Sequence, residues 1–489
     1  MAIPVETFFL ALDHQGTLQS QVQEMIAQGV LAGRFLPGEK LPSTRKLASH
    51  LGVSRITVSL AFTELVANEY LTSRGRSGYY ISENAPIPPN YSPAPKSEDA
   101  VDWQRAIAHR FSGGLTITRP PDWAQYRFPF IYGQADPRLF DHASWRLCAL
   151  QALGQRDFRS LTTDYYDQDD PQLTEFIARN TLARRGITAN PDDVLITLGA
   201  QNALWLAVTV LLSRRRTAAF EDPCYPALRE LLTQANCNLQ PVRVDAKGLP
   251  PDAIGNDVDV IVTTPSHQSP TGATLPMSRR QDLLDRAREL DAIIIEDDYE
   301  FEMAFPQKPS PALKSMDRDG RVVYVGSFSK SLFPGLRLGF LVGSKRFLRE
   351  ARALRALVLR HPPGHVQRTA AYFLSLGHFD AQIRRMAKEL HARRDIMRQA
   401  ISDHALDYAG PASANGSAFW MRAAPEVDTE KVARTLRTRS VLIEPGHAFF
   451  GPEDDPQSNF YRLGFSSIPK ERIPEGIAYV ADALKSGLI

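Results

Sequence analysis

The sequence predicts a multidomain chain: a small N-terminal α+β unit, a large α/β unit built on a mostly parallel sheet, and a smaller C-terminal α+β subdomain. Three observations predict it. The 489 residues exceed one ordinary domain. A Pro-rich stretch, APIPPNYSPAPKSEDA, separates an early helical region from the rest and behaves as a semi-rigid spacer. Beyond it, strand-like apolar runs alternate with amphipathic helical ones. The boundaries expected from composition are 1–82, a linker over 83–125, a large domain over 126–345 and a small subdomain over 346–489.

Within the first unit, LQSQVQEMIAQGVLAG (18–33) reads as an amphipathic helix with Leu18, Val22, Ile26 and Val30 on one face. Ser43 can cap a second helix that Gly52 ends, and Ser54 opens a third after a tight turn, the layout of a helix-turn-helix. The third helix directs Ser54, Arg55, Thr57 and Ser59 outward and Val58, Phe62 and Leu65 inward. YLTSRGRSGYYIS alternates apolar and polar residues around Gly75 and Gly78, as a two-stranded wing does, and its tip carries Arg74 and Arg76. The chain as a whole has a net charge of only +2. Between Arg34 and Ser82, however, seven Lys/Arg face three Asp/Glu, which suits phosphate contact. A small helical interaction domain with solvated arginines is the alternative.

In the large unit the expected strands are 193–197, 217–221, 259–264, 292–296, 321–326 and 338–343. All but the last run directly into polar clusters: LGAQN, DPCY, PSHQSPTG, DDYE and SFSK. Ligands in open α/β sheets sit beyond the carboxyl ends of strands, so five such clusters suggest one composite site. In SFSKSLFPGLRLGF, Lys330 has hydroxyls at Ser327 and Ser329 before it and Arg337 after it. That set can bind a phosphorylated aldehyde, the amine making a Schiff base while Ser327 and Arg337 take the phosphate. A neighbouring guanidinium and a buried cavity would lower the lysine pKa, as nucleophilic attack requires. In IIIEDDYE one aspartate can pair with a protonated pyridine nitrogen, and Tyr299 can reach a phenolic ring oxygen; Glu296, Asp297 and Asp298 also leave a metal site open. The amides of Gly199, Ala200 and Gln201 open a helix toward a phosphate, and Tyr225 can stack on a flat ring.

The first region resembles the GntR family of winged-helix regulators through PG…LPS.R.LA..LGVSR.TV. That resemblance implies DNA contact by Ser43, Arg45, Ser54, Arg55 and Thr57, with Arg74, Arg76, Ser77 and Gly78 in the wing. Residues 126–489 resemble the fold-type I aminotransferases. The phrases FIYGQADPRLFDHASWR, EDPCY, TPSHQSPTG, EDDYE and SFSKSLFPGLRLG are typical of the MocR/GabR subfamily of GntR regulators. The resemblance implies a pyridoxal 5′-phosphate (PLP) site in which Lys330 forms the Schiff base and Asp297 pairs with the pyridine nitrogen. Tyr299 would contact the ring oxygen, Tyr225 would stack, and Ser327, Arg337, Ala200 and Gln201 would hold phosphate. Arg462, in FYRLGFSS, matches the arginine that grips the acid group of an amino ligand.

The function so implied is transcription control by a sensor that forms an external aldimine with an amino compound and governs genes for that compound's uptake or catabolism. The resemblance implies a homodimer, domain-swapped as in the GabR-like case, on double-stranded DNA with repeated half-sites. General likeness in the wing and the IPVETFF start points to the taurine-responsive activators of the subfamily; a 4-aminobutyrate-type or ectoine-derived ligand stays open. The alternatives are a working aminotransferase with an appended reader and a winged helix on a cofactor-free scaffold. Ser269 stands where catalytic aminotransferases have asparagine, which favours sensing over turnover. Gln382 and Leu390 replace a histidine and a tyrosine common in the subfamily, and YYDQDDPQLTEF lacks a glycine after its proline. The arginine-rich stretches 345–360 and 384–398 read as solvated or salt-bridged faces, with DNA phosphate as the alternative. Three scattered cysteines form neither a disulfide framework nor a zinc pattern. With no signal-peptide pattern at the start and no long apolar run, a cytoplasmic location without a membrane role is expected.

Overall fold

The computed structural model describes all residues except 1, 10–15, 87–100, 113–116, 118, 135, 165, 301–309, 412–415, 452–457 and 487–489. Most of the Pro-rich run therefore lies outside the described residues. The chain divides into two compact units, Met1–Arg110 and Phe111–Ile489.

The first unit contains α1 (Leu18–Leu31), α2 (Thr44–Leu51) and α3 (Arg55–Ala67), then β1 (Leu71–Ser73) paired antiparallel with β2 (Tyr79–Ile81). Polar caps set the helix starts: the Ser43 hydroxyl accepts from the Lys46 amide and the Ser54 hydroxyl from the Thr57 amide. Val22, Ile26, Val30, Val58, Phe62 and Leu65 are buried in one core, as the periodicity requires. Leu18 differs. As the first residue of α1 it lies 43% exposed, beyond the edge of that core. Ile3, Val5 and Phe8 join the core through a short 3-10 turn. Such a segment is too brief to show a helical or strand period in sequence.

In the second unit a seven-stranded sheet holds β3 (Val194–Thr197), β4 (Thr217–Asp222), β5 (Asn238–Arg243), β6 (Val260–Thr263), β7 (Ile293–Asp298), β8 (Val322–Ser327) and β9 (Gly339–Val342). The spatial order is β3-β9-β8-β7-β6-β4-β5. β9 pairs antiparallel with both neighbours, and the other six strands share one direction. This fits the sequence pattern: of the six expected strands, β9 alone ends at the opposite end of the sheet, away from the polar clusters that follow the other five. β5 was not legible as a strand. It is an edge strand with a mixed polar sequence and Pro241, which an interior ladder would not tolerate.

The small subdomain packs a four-stranded antiparallel sheet against the helices His378–Asp403, Thr429–Thr438 and Ile473–Ser486. Phe128 and Phe130 enter this core too, and Phe128–Pro129 pairs in parallel with Val441–Leu442. Among the described residues no helix is long and apolar enough to cross a membrane.

The arginine-rich helices are salt-bridged, through buried arginines such as Arg355 and Arg393 and through half-exposed ones such as Arg385. Arg352 and Arg355 pair with Asp169, Arg393 with Asp136 and Glu389, and Arg385 with Asp141. Asp170 caps the helix Pro171–Phe176 and also pairs with Arg368, so the DQDDP stretch is an anchoring corner. Gln382 is buried, accepting from the Asp141 amide and donating to the Ser331 carbonyl, while Leu390 fills the subdomain core.

Candidate functional site

The carboxyl ends of the sheet strands open into a cavity of about 410 Å³. Its walls bring together Ala200, Gln201, Tyr225, Asp297, Tyr299, Ser327, Ser329, Lys330, Arg337 and Arg462. Gly199 stands directly behind them. Its left-handed backbone (φ +79°) lets the Arg337 guanidinium come within 3.3 Å of where a Cβ would be.

Lys330 follows β8, and its Nζ lies 3.9 Å from the centroid of the Tyr132 ring. Burial is the main influence on the amine and lowers it to about 8, with Arg119 and Arg462 acting in the same direction against Glu300 and Glu444. Gly133 forms the wall beside it at φ +82°. A Cβ there would sit 2.6 Å from Lys330 Nζ, so the FIYG phrase leaves the space the amine occupies.

The acids of β7 alternate across the strand and go to different partners. Glu296 accepts from the Leu313 and Lys314 amides at 2.8 and 2.7 Å. Asp298 pairs with buried Arg185 at 2.7 Å and accepts from the Tyr324 hydroxyl. Asp297 faces the cavity, and its Oδ1 is buried without a hydrogen-bond partner. Burial first, then the neighbouring acids Asp298 and Glu221, push this carboxyl up to about 8. Asp297 thus points to the face opposite Glu296 and Asp298, and those two are each occupied by other partners, which removes the physical basis for reading EDDYE as a metal cluster.

At the opposite wall the helix Gly199–Leu211 begins with no side-chain cap, leaving its first amides as donors. Tyr225 donates to Gln201 Oε1 at 2.9 Å, and burial raises its phenol. Burial also holds the Tyr299 phenol well above its ordinary value, against an opposing hydrogen bond with Ser269. Ser269 thus engages Tyr299 at the cavity wall.

Sequence reasoning missed three participants. Arg119, from the segment assigned to the linker, lines the cavity. Tyr132 lies between Lys330 and Arg462 and donates to buried Glu300 at 3.0 Å. Glu444 is 1% exposed and accepts from Arg119 and Arg462. Lone charged residues in a loop and a two-residue strand carry no spacing that would have singled them out.

In the first unit, Ser43, Arg45, Ser54, Arg55, Arg74, Arg76 and Ser77 are exposed, while Thr57 and Gly78 are half-buried. Arg74 lies over the Tyr80 ring at 4.6 Å, and Ser77 and Tyr80 share a hydrogen bond at 2.7 Å, which orders the wing tip.

Comparison with known proteins matches residues 18–81 to the bacterial regulatory proteins of the gntR family and residues 138–480 to the class I and II aminotransferases. The HTH-type transcriptional regulator TauR of Rhodobacter capsulatus is 54% identical over 485 residues, covering 99% of this chain and 100% of that protein. The probable rhizopine catabolism regulatory protein MocR of Rhizobium meliloti is 29% identical, with 94% and 92% covered. Among solved structures, the α-aminoadipate aminotransferase LysN of Thermus thermophilus, crystallised with N-(5′-phosphopyridoxyl)-L-leucine, superposes with a TM-score of 0.71. It is 25% identical and covers 79% of this chain and 99% of its own. An archaeal alanine:glyoxylate aminotransferase gives 0.68 at 26% identity, with 73% and 91% covered. A reader of one family joined to a domain of the other, in the same order as a full-length relative, shows that this chain belongs to the MocR/GabR subfamily of GntR transcription regulators.

Proposed function

We propose that this chain is a PLP-dependent regulator whose aminotransferase-like domain senses a small amino compound and whose winged helix reads double-stranded DNA. The observation that carries this reading is the meeting of Lys330, Tyr225, Arg337 and the uncapped helix start in one cavity with Asp297 Oδ1, a buried acceptor lacking a donor. A protonated pyridine nitrogen is the kind of donor that oxygen lacks, so the residues present fit PLP. When bound, PLP supplies an aldehyde carbon that takes up amines reversibly and a ring that withdraws electrons.

The chain's own residues then have distinct tasks. Lys330 anchors the cofactor; with its amine near 8, a usable fraction is unprotonated and nucleophilic at neutral pH. Asp297 would accept from the pyridine nitrogen, Tyr299 and Ser269 would hydrogen-bond the ring oxygen, and Tyr225 would stack on the ring. Gly199, Ala200, Gln201, Ser327, Ser329 and Arg337 would hold the phosphate. Arg462 takes the acid group of a taurine- or 4-aminobutyrate-like effector. Ser43, Arg45, Ser54, Arg55, Thr57, Arg74, Arg76, Ser77 and Gly78 face DNA. The working unit is a cytoplasmic homodimer, domain-swapped through the linker. Leu147 and Leu150 on the helix His142–Ala152, with Leu153 at its C-cap, are each more than half exposed and suited to that contact.

The second reading is a turnover aminotransferase, favoured by the lowered Lys330 amine, which could also accept a proton. A steady-state assay with amino donors and keto acids separates the two. The sensor reading expects at most about one turnover per site, and many turnovers per site would overturn it. Lys330→Ala is expected to abolish borohydride-trappable cofactor while leaving DNA binding by the reader measurable.

A further inference from the structure

The far end of the cavity holds two cations and one anion. Arg119 donates to Glu444 Oε1 through Nε at 3.0 Å and Nη2 at 2.8 Å, and Arg462 donates to Oε2 through Nε at 2.8 Å. Both arginines line the cavity, whereas Glu444 sits behind them with a side chain only 2% exposed. Arg462 is held between Tyr132 and Phe449, its Cζ 4.3 and 4.6 Å from the ring centroids. Its two terminal nitrogens make no hydrogen bond among the described residues. Lys330 Nζ lies over the same Tyr132 ring at 3.9 Å, so the two cations are separated by no more than the sum of their distances to that centroid.

We infer that Glu444 is a specificity-determining residue that sets the charge class of the ligand. By neutralising one of the two guanidiniums it leaves a net charge of +1 facing the ligand's acid end. Arg462 and Glu444 are withdrawn from bulk water, with side chains 5% and 2% exposed, so uncompensated charge of either sign beside them is costly and the favoured ligand brings one negative charge there. The ligand class is then a short zwitterion with an amine at one end and a single carboxylate or sulfonate at the other, with doubly charged acids disfavoured. The inference rests on the proposed sensing role of the Lys330 site and adds to it the charge the ligand carries.

Two probes of equal length test it: 2-aminoethanesulfonate, singly charged at its acid end, and 2-aminoethylphosphonate, whose second ionisation lies near neutrality as in phosphate monoesters, at about 6. The full PLP-loaded chain is titrated with each at pH 8, read by the cofactor absorbance band, with n-propylamine as an acid-free control. The wild type is expected to favour the sulfonate. In Glu444→Gln, which exposes a net charge of +2, the ratio of the two dissociation constants is expected to move at least tenfold toward the phosphonate. Arg119→Gln leaves the Glu444–Arg462 pair neutral, and both acids should weaken relative to n-propylamine. An unchanged sulfonate-to-phosphonate ratio in Glu444→Gln would overturn the inference. If that variant does not fold, undiminished preference for acids over n-propylamine in Arg119→Gln would do so. If no amine shifts the band in the wild type, the sensing role itself fails, and the inference falls with it.

Discussion

Asp297 and Lys330 carry opposite costs of burial in the same cavity. The Asp297 carboxyl is raised to about 8, so between its ordinary value near 4 and pH 8 the folded chain holds a proton that the unfolded chain has released. Stability of the cofactor-free protein therefore falls as pH rises through that window, at about 1.4 kcal/mol per pH unit at most. Asp297→Asn removes this group's contribution to the slope. Its thermal midpoint is expected to match the wild type near pH 4 and exceed it by several degrees at pH 8, while PLP retention drops at least tenfold. Parallel midpoint curves for the two proteins would contradict this. At this scale much of the site was legible: Lys330, Asp297, Tyr299 and Arg337 lie in dense local phrases, where the strand and its loop fix the neighbours. Arg119, Tyr132 and Glu444 were not, because they meet only through the folding of distant segments. Glu444 and Arg119 are 325 residues apart in sequence.

Loops between elements fix where the side chains point. Gly133 holds a left-handed backbone beside the lysine amine, and any side chain there intrudes on Nζ. Gly133→Ala is expected to cost about 1 kcal/mol or more through its backbone alone and to slow covalent capture of PLP at least tenfold. Capture at the wild-type rate would show that the amine does not need that space. In the reader, Arg55 opens α3 with its side chain exposed while Ser54 is occupied in capping. Arg55→Ala is expected to weaken DNA binding, with a fall in the logarithmic salt slope of about 1 if the contact is to phosphate, or a relaxed base preference if it is to a base edge. If Arg55→Ala alters neither the salt slope nor the base preference, Arg55 does not contact DNA. Periodicity exposed α1–α3 and six of the seven strands, since apolar faces must match a core. It did not expose β5 or the Ile3–Phe8 turn, whose short or mixed patterns gain their meaning only from the surfaces they cover.

For the whole molecule, a ligand at the Lys330 site can regulate DNA binding only if it favours one conformation of the chain over another. Arg119 belongs to the stretch that follows the Pro-rich run and is tied through Glu444 to Arg462. The acid end of a ligand and the start of the second unit thus share one ionic cluster. The most direct test of the sensing account is a joint titration of the PLP-loaded chain on a DNA duplex selected for binding, with a panel of amino acids and amino sulfonates. Cofactor absorbance and DNA anisotropy are read on the same samples. The account predicts one compound class that shifts the band and changes DNA affinity at least about fivefold over the same concentration range, with both responses absent in Lys330→Ala. A band shift that saturates while DNA affinity stays constant would contradict it.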